Sequence, residues 1–562
     1  MNQKEQKLSK IFFYLLVKIN TFFKENRMKE KYGSKNLDHL GIVSQICDEI
    51  GIVEIIDKLI PPEQSMKLSH GECIKLMVIN GLGFTSRPLY LEAQFFSSRA
   101  VDRFLKKQCE GGAINDDRLR RTLNEIFAFG CDPLFASISS QAALRFGVCK
   151  KFRHLDSTSM QVHGEYEKSE GTKLVTFGYS KDHRPDLKQF MIYLMSSQDG
   201  DVPLLAKTVA GNTSDKKLFQ ERLKELQQQI QEGEDSYFVA DSALYTQNTI
   251  KEISSSMRWI THVPDTLMEA KQMKQYVSEL EPLCSGYAGK EFTSEYGGVK
   301  QRWLLVHSDQ ARLREEKTLK KRIEQEKQQA LKDLRSWSRT DFDCEKDARE
   351  TLLRWGKKLK YHVLNEMTIS SKKTKQGKGR PKADATTSYR YRITATALKE
   401  DVARINNDLR AKGRFIIATN ELDSTRLTSQ DLLHNYKGQQ SVERGFRFLK
   451  EPAFMTSSVF LKSQKRIVAL AMVMCLCLLV YMIAQRYLRH RLEQARTFIP
   501  NQLGKKTRTP TMRWIFQLFE GVHVLIHRTR SKIKEHVLNM NPIRRHILAV
   551  LGPQFEKIYS NR

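Results

Sequence analysis

Apolar residues follow a helical spacing at the beginning of the chain and a strand spacing after it. Over residues 36–148 they recur every three or four positions, as in Ile42, Ile46 and Ile50, which predicts a series of helices. A compact helical domain of this kind is common in DNA-binding proteins, but an ordinary helical domain has the same pattern. From Lys150 onward the apolar residues alternate with polar ones, which predicts strands.

Three strand-like runs begin the middle of the chain, at residues 152–161, 189–197 and 203–210. Turn residues at 199–201 join the last two runs, so these predict a hairpin. The next predicted elements are a helix, a buried strand, a second helix and a further strand, at residues 214–230, 237–240, from about 246, and 259–263. Strands and helices in this order predict an α/β domain with a hairpin first and crossover connections later.

Residues 265–400 interrupt this pattern and predict an inserted domain. Residues 309–360 form a highly charged helical pair, and residues 369–385 contain six basic residues, two Gly and one Pro. The second composition predicts a mobile basic loop. After it, strands are predicted at about 390–397 and 414–419, and one helix from Ser429 to about Leu449.

The pattern predicts six parts of the chain. They are an N-terminal extension without a fold of its own, a helical DNA-binding domain, the first half of an α/β domain, the inserted domain, the second half of the α/β domain and a basic helical C-terminal region, at 1–35, 36–148, 149–264, 265–400, 401–485 and 486–562.

Residues 467–484 raise the question of a membrane. They form an uncharged run of 18 residues, the lower length limit for a membrane-spanning helix. A basic membrane-associated protein is therefore one interpretation of the chain. A helix buried on all sides in a protein core has the same composition.

The charge balance favours a polyanionic partner. The 562 residues include 94 Lys and Arg against 64 Asp and Glu, a formal net charge of +30. Nucleic acid is the most common partner of so basic a chain. The excess is uneven, because residues 150–264 contain 15 basic and 16 acidic residues, whereas residues 486–562 contain 16 and 4. We expect basic flanks to contact phosphates around a nearly neutral centre.

The nine cysteines include no Cys-x-x-Cys pair, and their number is odd. This argues against a disulfide framework or a zinc module and indicates a reducing compartment.

Three acidic residues are candidates for chemistry. Asp156 lies within the first predicted strand, Asp241 directly follows the buried strand, and Glu443 lies on a predicted helix. Carboxylates at strand ends are typical of α/β active sites. If the three converge they need a divalent cation to offset their repulsion, and oxygen ligands select Mg²⁺ or Mn²⁺, here two ions. The alternative is that each is an ordinary surface acid.

The segment around Glu443 has a specific spacing. Tyr436, Gln439, Glu443 and Lys450 follow one another at steps of three, four and seven, which would place them on one face of a helix. Arg444 and Arg447 add positive charge beside them. An amphipathic charged helix without a site would show a similar pattern.

In these features the chain resembles the bacterial insertion-sequence DDE transposases with a Tyr-Arg-Glu-Lys signature. The resemblance extends from about residue 36 to the C-terminus and depends most on three segments. They are 178–189, 211–215 and 436–450.

The resemblance implies a ribonuclease-H-like fold in which Asp156, Asp241 and Glu443 bind the metal ions and are catalytic. It assigns Tyr436 and Lys450 to contacts with transposon-end DNA, and Gln439 stands where the signature has Arg. In some relatives a Trp of the inserted domain holds a flipped base, and the candidates here are Trp303, Trp337 and Trp355. A core tryptophan is the other interpretation of each.

The resemblance therefore implies a cytoplasmic bacterial enzyme that acts on double-stranded DNA, both transposon ends and target. A homodimer on DNA and no membrane association are expected. In the family the segment after the glutamate helix packs on the sheet, so residues 467–484 are expected to be a core helix. The alternative function is a non-catalytic DNA-binding protein descended from a transposase.

Overall fold

The structure is a computed structural model, and it describes residues 31–84, 91–109, 112–163, 166, 174–180, 184–213, 236–276, 279–364, 368–375, 387–394, 398–451, 463–529 and 532–562. The chain divides into two compact units. The first comprises Met1–Val239 with Gly438–Arg562, and the second Ala240–Lys437.

The N-terminal part of the first unit is helical, as its apolar spacing predicts. Its described residues form β1 (Lys31–Asn36), α1 (Leu40–Ile50), α2 (Ile52–Leu59), α3 (His70–Gly81), α4 (Glu92–Ser97), α5 (Val101–Leu105), α6 (Asp116–Phe129) and α7 (Cys131–Arg145). Local signals fix their ends, since Ser69 and Glu72 form a capping box at α3. The strand β1 was not expected, because it overlaps the predicted unstructured extension.

The α/β part of the first unit begins with the predicted hairpin strands. They are β2 (Phe152–Val162), β3 (Lys188–Ser197), β4 (Pro203–Ala210) and β5 (Tyr237–Ala240). Strands β2, β3 and β4 pair antiparallel, and β5 pairs parallel to β2. This order is the hairpin followed by a crossover that the sequence predicts. The predicted helix at 214–230 lies outside the described residues.

The second unit alternates helices and strands. Its elements are α8 (Gln247–Ile253), β6 (Arg258–His262), α9 (Met268–Tyr276), β7 (Glu281–Cys284), β8 (Tyr287–Tyr296), β9 (Val299–Ser308), α10 (Asp309–Trp337), α11 (Glu345–Gly356), β10 (His362–Leu364), β11 (Thr368–Lys375), β12 (Thr387–Thr394), β13 (Leu398–Glu400), α12 (Val402–Arg410), β14 (Arg414–Thr419) and α13 (Ser429–Lys437).

Five of these strands form a sheet in the order β6-β14-β9-β8-β7. Because β14 pairs with both β6 and β9, strands of the predicted insertion share a sheet with strands on either side of it. The structure also differs from the basic loop expected at 369–385. Residues 368–375 pair with 387–394 as a hairpin, whose β-branched and aromatic residues favour strands, and 376–386 lie outside the described residues.

The chain ends in the first unit. The last elements are α14 (Gln440–Leu449), α15 (Gln464–Gln494), β15 (Ile499–Pro500), β16 (Lys506–Thr507), α16 (Met512–Leu518), β17 (His523–Arg528), β18 (Ile533–Leu538), α17 (Pro542–Leu551) and α18 (Pro553–Ile558). The C-terminal region is thus not all helical as predicted, because β17 pairs with both β1 and β18.

A buried arginine ties the two ends of the first unit together. The Arg103 guanidinium on α5 is 1% exposed and donates to the Glu535 carboxylate on β18 at 2.7 and 2.9 Å. It also donates to the carbonyl oxygen of Ile558, at 2.7 Å. A desolvated charge is tolerated only when it is paired in this way.

Helix α15 is the central element of this unit. Among the described residues it is the one helix long and apolar enough to cross a membrane, and 94% of its apolar stretch is buried inside the protein. It packs against α1, α3, α6, α7 and β4. This is the packing expected of a core helix that is apolar on all sides.

Candidate catalytic site

Asp156 lies in the middle of β2, directly opposite Leu194 of β3. Residues opposite each other in a pair of strands share one face of the sheet, so the two side chains point to the same side. The Asp156 carboxylate accepts a hydrogen bond from the Ser157 amide at 2.7 Å and is partly buried.

A neutral imidazole lies on the same face, since His154 is two residues before Asp156. Its Nε2 is 3.1 Å from Gln198 Oε1, and the ring is fully buried. Burial lowers the pKa of His154 to about 4, so it adds no positive charge beside the carboxylate at neutral pH.

Asp241 is placed by the end of β5. The strand consists of four buried residues, and Asp241 then caps a short 3-10 turn by accepting a hydrogen bond from the Ala243 amide at 2.9 Å. Its backbone carbonyl accepts from the Thr261 hydroxyl at 2.7 Å, which fixes the backbone. The carboxylate itself is exposed, as a ligand-binding group requires.

Glu443 is exposed in the first turn of α14, which buries Val442 and Phe446. This helix packs against β2, β3 and α15. Gly445 makes the approach close, because a Cβ there would lie 3.3 Å from Leu478 Cδ2 and 3.5 Å from Leu194 Cδ2. Since Leu194 shares a sheet face with Asp156, α14 covers the face that carries this acid.

The single helix predicted from Ser429 to Leu449 is wrong. Helix α13 ends at Lys437, a turn at Gly438 and Gln439 follows, and α14 starts at Gln440. Gly438 stands at the break, and glycine is a weak helix former. The continuous helix face predicted for Tyr436, Gln439, Glu443 and Lys450 is therefore interrupted after Tyr436, whereas Gln439, Glu443 and Lys450 keep their spacing at the N-cap, first turn and C-cap of α14.

Tyr436 belongs to α13 in the second unit and is partly buried. Its ring centroid is 6.3 Å from that of His262 and 6.2 Å from that of Phe415. One side of the ring thus contacts the protein's own aromatic residues, an arrangement that holds the ring in a fixed orientation.

The basic residues of α14 are exposed at Arg444 and Arg447 and partly buried at Lys450. Arg444 donates to the Asp201 carboxylate at 2.8 Å through Nη2. Asp201 stands in the turn between β3 and β4, and the sequence gives no sign of this pairing because 243 residues separate the partners.

The three carboxylates have the oxygen ligands that Mg²⁺ and Mn²⁺ prefer. Within the described part of the chain, however, no group of three or more His, Cys, Asp or Glu side chains is arranged to hold a metal ion. The donor chemistry fits a metal site, whereas an assembled coordination shell is not present among these residues.

The three tryptophans of the expected insertion have different environments. Trp303 is 1% exposed and its indole donates to Gln301 Oε1, so it is a core residue. Trp337 and Trp355 are partly buried and contact each other edge to face, with ring centroids 5.0 Å apart. Trp355 also donates to Asp333 at 3.0 Å. A role for either in holding a base stays a prediction.

The segment that contains these acids matches a known protein family. The family model described as a transposase DDE domain matches residues 148–480. The chain belongs to the transposase DDE domain family. The part of the chain that matches contains Asp156, Asp241 and Glu443 and the segment 436–450.

Residues 32–140 match a second family model, described as a domain of unknown function, DUF4277. No curated protein matches the chain. Among solved structures, the chain is similar to a piggyBac transposase synaptic complex with hairpin DNA, at 10% identity and a TM-score of 0.36. The match covers 86% of this chain and 78% of that one.

Two glycines, Gly178 and Gly211, bring the described parts of segments 178–189 and 211–215 close together. A side chain at Gly178 would overlap the carbonyl of Gly211, and one at Gly211 would overlap that of Gln189. The Gln189 amide donates to the carbonyl oxygens of Tyr179 and Gly211, at 3.1 and 2.8 Å. The two segments therefore meet at the beginning of β3, where only glycine allows the backbones this close.

Proposed function

We propose that the chain is a bacterial insertion-sequence transposase of the group with the Tyr-Arg-Glu-Lys signature, built on a ribonuclease-H-like catalytic domain. It binds the terminal inverted repeats of its own mobile element in the cytoplasm. It then hydrolyses the phosphodiester at each end and joins the freed 3′-OH to target DNA by cut and paste.

The placement of the acids along the strands supports this proposal. In the parallel pairing of β2 and β5, His154 lies opposite Val239. Asp156 lies two residues after His154, and Asp241 lies two residues after Val239. Helix α14, which carries Glu443, covers the face of β2 and β3 to which Asp156 points.

We assign the three carboxylates the role of metal ligands and catalytic residues. Two Mg²⁺ or Mn²⁺ ions, when bound, polarise the scissile phosphodiester and favour ionisation of a nucleophilic water. The fixed backbone at Asp241 and the Ser157 hydrogen bond to Asp156 orient these side chains in advance. No side-chain nucleophile is needed, because the attacking oxygen comes from water or from the DNA 3′ end.

The remaining assignments concern DNA. Residues 36–148 recognise the transposon ends, and a homodimer holds two ends together. The DNA-contacting side chains are Tyr436, Gln439, Arg444, Arg447 and Lys450. Arginine and lysine neutralise phosphates, and Tyr436 presents a ring for stacking.

Cleavage of a labelled duplex that carries the element's own ends tests the catalytic assignment. The variants Asp156→Asn, Asp241→Asn and Glu443→Gln should each lose about 10³-fold or more in rate while they bind the same duplex. Asp186→Asn is the matched control, since this carboxylate is exposed and pairs with the adjacent Arg184. A variant among the first three that cleaves at the unchanged rate is not part of the site.

One observation favours the alternative of a non-catalytic DNA-binding descendant. Gln439 stands at the signature position of Arg, and its side chain makes no capping hydrogen bond at the start of α14. If the unchanged protein binds its ends but does not cleave them with Mg²⁺ or Mn²⁺, this alternative replaces the enzyme. Restored cleavage in Gln439→Arg would assign the loss to that position.

A further inference from the structure

The first unit contains a pocket of about 330 Å³ beside α14. Four arginines and two acids determine its charge, and we call it the arginine pocket. They are Arg444, Arg447, Arg489, Arg513, Asp201 and Glu451. The residues come from the β3–β4 turn, from α14 and the residue beyond its end, from α15 and from α16, so the sequence alone does not reveal the cluster.

Arg489 is the most buried arginine of the set. Its Nε donates to the carbonyl of Pro510 at 2.8 Å, which fixes the guanidinium, and the side chain is partly buried. Burial lowers the pKa of Arg489, and the nearby Asp201 charge opposes that effect. A desolvated guanidinium is stabilised by an anion placed against it.

The two acids of the pocket act as internal counterions. Asp201 pairs with Arg444 at 2.8 Å, and Glu451 pairs with Arg513. Four guanidinium groups and two carboxylates leave a formal charge of +2. The arginines of these pairs are 56% and 45% accessible, whereas their carboxylates are 16% and 32% accessible, so each guanidinium faces solvent on one side. An incoming anion can therefore reach the guanidinium groups and compete with the carboxylates.

We propose that the arginine pocket binds a phosphate group of the DNA backbone. Guanidinium groups bind phosphate oxygens in pairs, and a convergent set of four suits a tetrahedral dianion or a phosphodiester. The proposal rests on the proposed function, because it names a contact between the same protein and its DNA. It adds Arg489 and Arg513 to the α14 arginines already assigned to DNA, and it gives Asp201 and Glu451 the role of competing anions.

Removing the Asp201 carboxylate tests the proposal, because the substitution is expected to raise the affinity for DNA rather than lower it. Asp201 has a φ of +60°, a conformation that Asn tolerates well, so Asp201→Asn keeps the turn. We expect this variant of the full chain to bind a fluorescent DNA duplex about threefold to tenfold more tightly, because Arg444 no longer has to leave a carboxylate. A merely structural role for the pair would weaken binding instead.

The opposite change should weaken binding. Arg513→Gln is expected to lower affinity for the duplex about tenfold and to reduce the slope of log K against log salt by about 1. Arg354→Gln removes the same charge from α11, at a side chain that is 80% exposed and lies outside the basic C-terminal region, and should leave affinity within about twofold. Equal losses in the two variants would overturn the proposal.

Chemically modified DNA separates a backbone phosphate from other sources of the anion. In a series of duplexes with one neutral methylphosphonate linkage each, one position should weaken binding to the unchanged protein and have no further effect on Arg513→Gln. Full additivity at every position would overturn the proposal. The other outcome is that all duplexes bind alike, while millimolar inorganic phosphate slows amide hydrogen exchange in the segments that line the pocket. That result would assign the pocket to free phosphate and overturn the proposal.

These outcomes are independent of catalysis. Binding is measured without Mg²⁺ and with Asp156→Asn as the common background. A failure of the pocket proposal leaves cleavage intact, and a failure of the proposed function leaves binding intact without cleavage.

Discussion

Two helices of nearly equal length are stabilised in different ways. Helix α15 has 31 residues, 19 of them buried, and its N-cap Ser463 makes no side-chain hydrogen bond. Helix α10 has 29 residues, of which Leu319, Ala330 and Leu334 are buried, and its N-cap Ser308 accepts from the Ala311 amide. The first is held by the protein around it, whereas the second depends more on contacts within itself.

The contacts within α10 are side-chain pairs four residues apart. They are Arg312 with Glu316, Gln328 with Glu324 and Gln329 with Asp333, at 2.6, 2.7 and 2.9 Å. Each such pair stabilises a helix by only about 0.2–0.5 kcal/mol, against about 1.5–3 kcal/mol for one fully buried leucine. Burial, rather than helix length or capping, therefore sets the stability of α15 and α10.

A leucine-to-alanine substitution in each helix should give the largest difference in stability between them. Leu478→Ala in α15 removes a fully buried side chain that contacts α14, and we expect a loss of about 2–5 kcal/mol. Leu313→Ala in α10 removes a side chain that is 68% exposed and should cost less than about 0.5 kcal/mol. Amide hydrogen exchange, measured on peptides from each helix, reports the stability of α15 and of α10 separately. Equal losses of stability in the two variants would contradict the difference between the helices.

An ion pair made by Arg486, in the last third of α15, is the next test. Arg486 donates to both Asp199 carboxylate oxygens at 2.8 and 2.7 Å, and also to the carbonyl of Phe146. We expect Arg486→Gln to cost about 2–3 kcal/mol at neutral pH, because it leaves these acceptors without their donor.

The pH dependence identifies the ion pair as the cause. Burial opposes the charged form of Asp199, but Arg486 and the Cys149 amide hold the pKa of this carboxyl below its usual value. The stabilisation is therefore full above pH about 4 and is lost in more acid solution. The difference in stability between the unchanged protein and Arg486→Gln should narrow below pH 4, and a constant difference would contradict the assignment.

The comparison also shows which parts of the fold could be predicted. The core helix at residues 467–484 was expected from the family resemblance, because an uncharged apolar run of this length fits a membrane-spanning helix as well as a helix buried on all sides. The strands at 203–210 and 237–240 were predicted with the observed bounds because their apolar runs end at turn residues. Strands β17 and β18 were missed because both lie in the basic region that was interpreted as helical, although β17 contains the apolar residues Val524, Leu525 and Ile526.

For the candidate site, Asp156 and Asp241 were singled out by their strand contexts and Glu443 by its helical segment, but the surroundings of the three acids were not predicted. The break at Gly438 was missed because the spacing of Tyr436, Gln439 and Glu443 fits one continuous helix. Gly445 lies close to Leu478 and also to Leu194, which is far from it in the sequence. Such contacts are set by packing and leave no local pattern.

A carboxyl group near α15 gives a smaller, pH-dependent effect. Glu92 of α4 is fully buried, and burial raises its pKa to about 8. The folded protein therefore keeps a proton there that the unfolded chain loses above pH about 4.5, so stability falls as pH rises toward 8, by up to about 1.4 kcal/mol per pH unit.

Glu92→Gln should remove that slope and make the protein more stable than the unchanged chain at pH 7.5, but not at pH 4.5. Glu324→Gln, on the exposed face of α10, is the matched control. A parallel pH dependence in the unchanged protein and Glu92→Gln would mean that the group titrates as an exposed carboxyl does.

The smallest expected effect belongs to α10 itself. Glu316→Gln removes the pair with Arg312, which is 2.6 Å long and joins side chains 23% and 55% exposed. We expect a loss of about 0.3–0.5 kcal/mol at low salt that disappears in about 1 M NaCl, where screening acts within a few ångströms. Hydrogen exchange in α10 peptides at both salt concentrations measures it. A loss that persists in high salt would mean that Glu316 contributes by packing, and that α10 resembles α15 more than its exposed surface indicates.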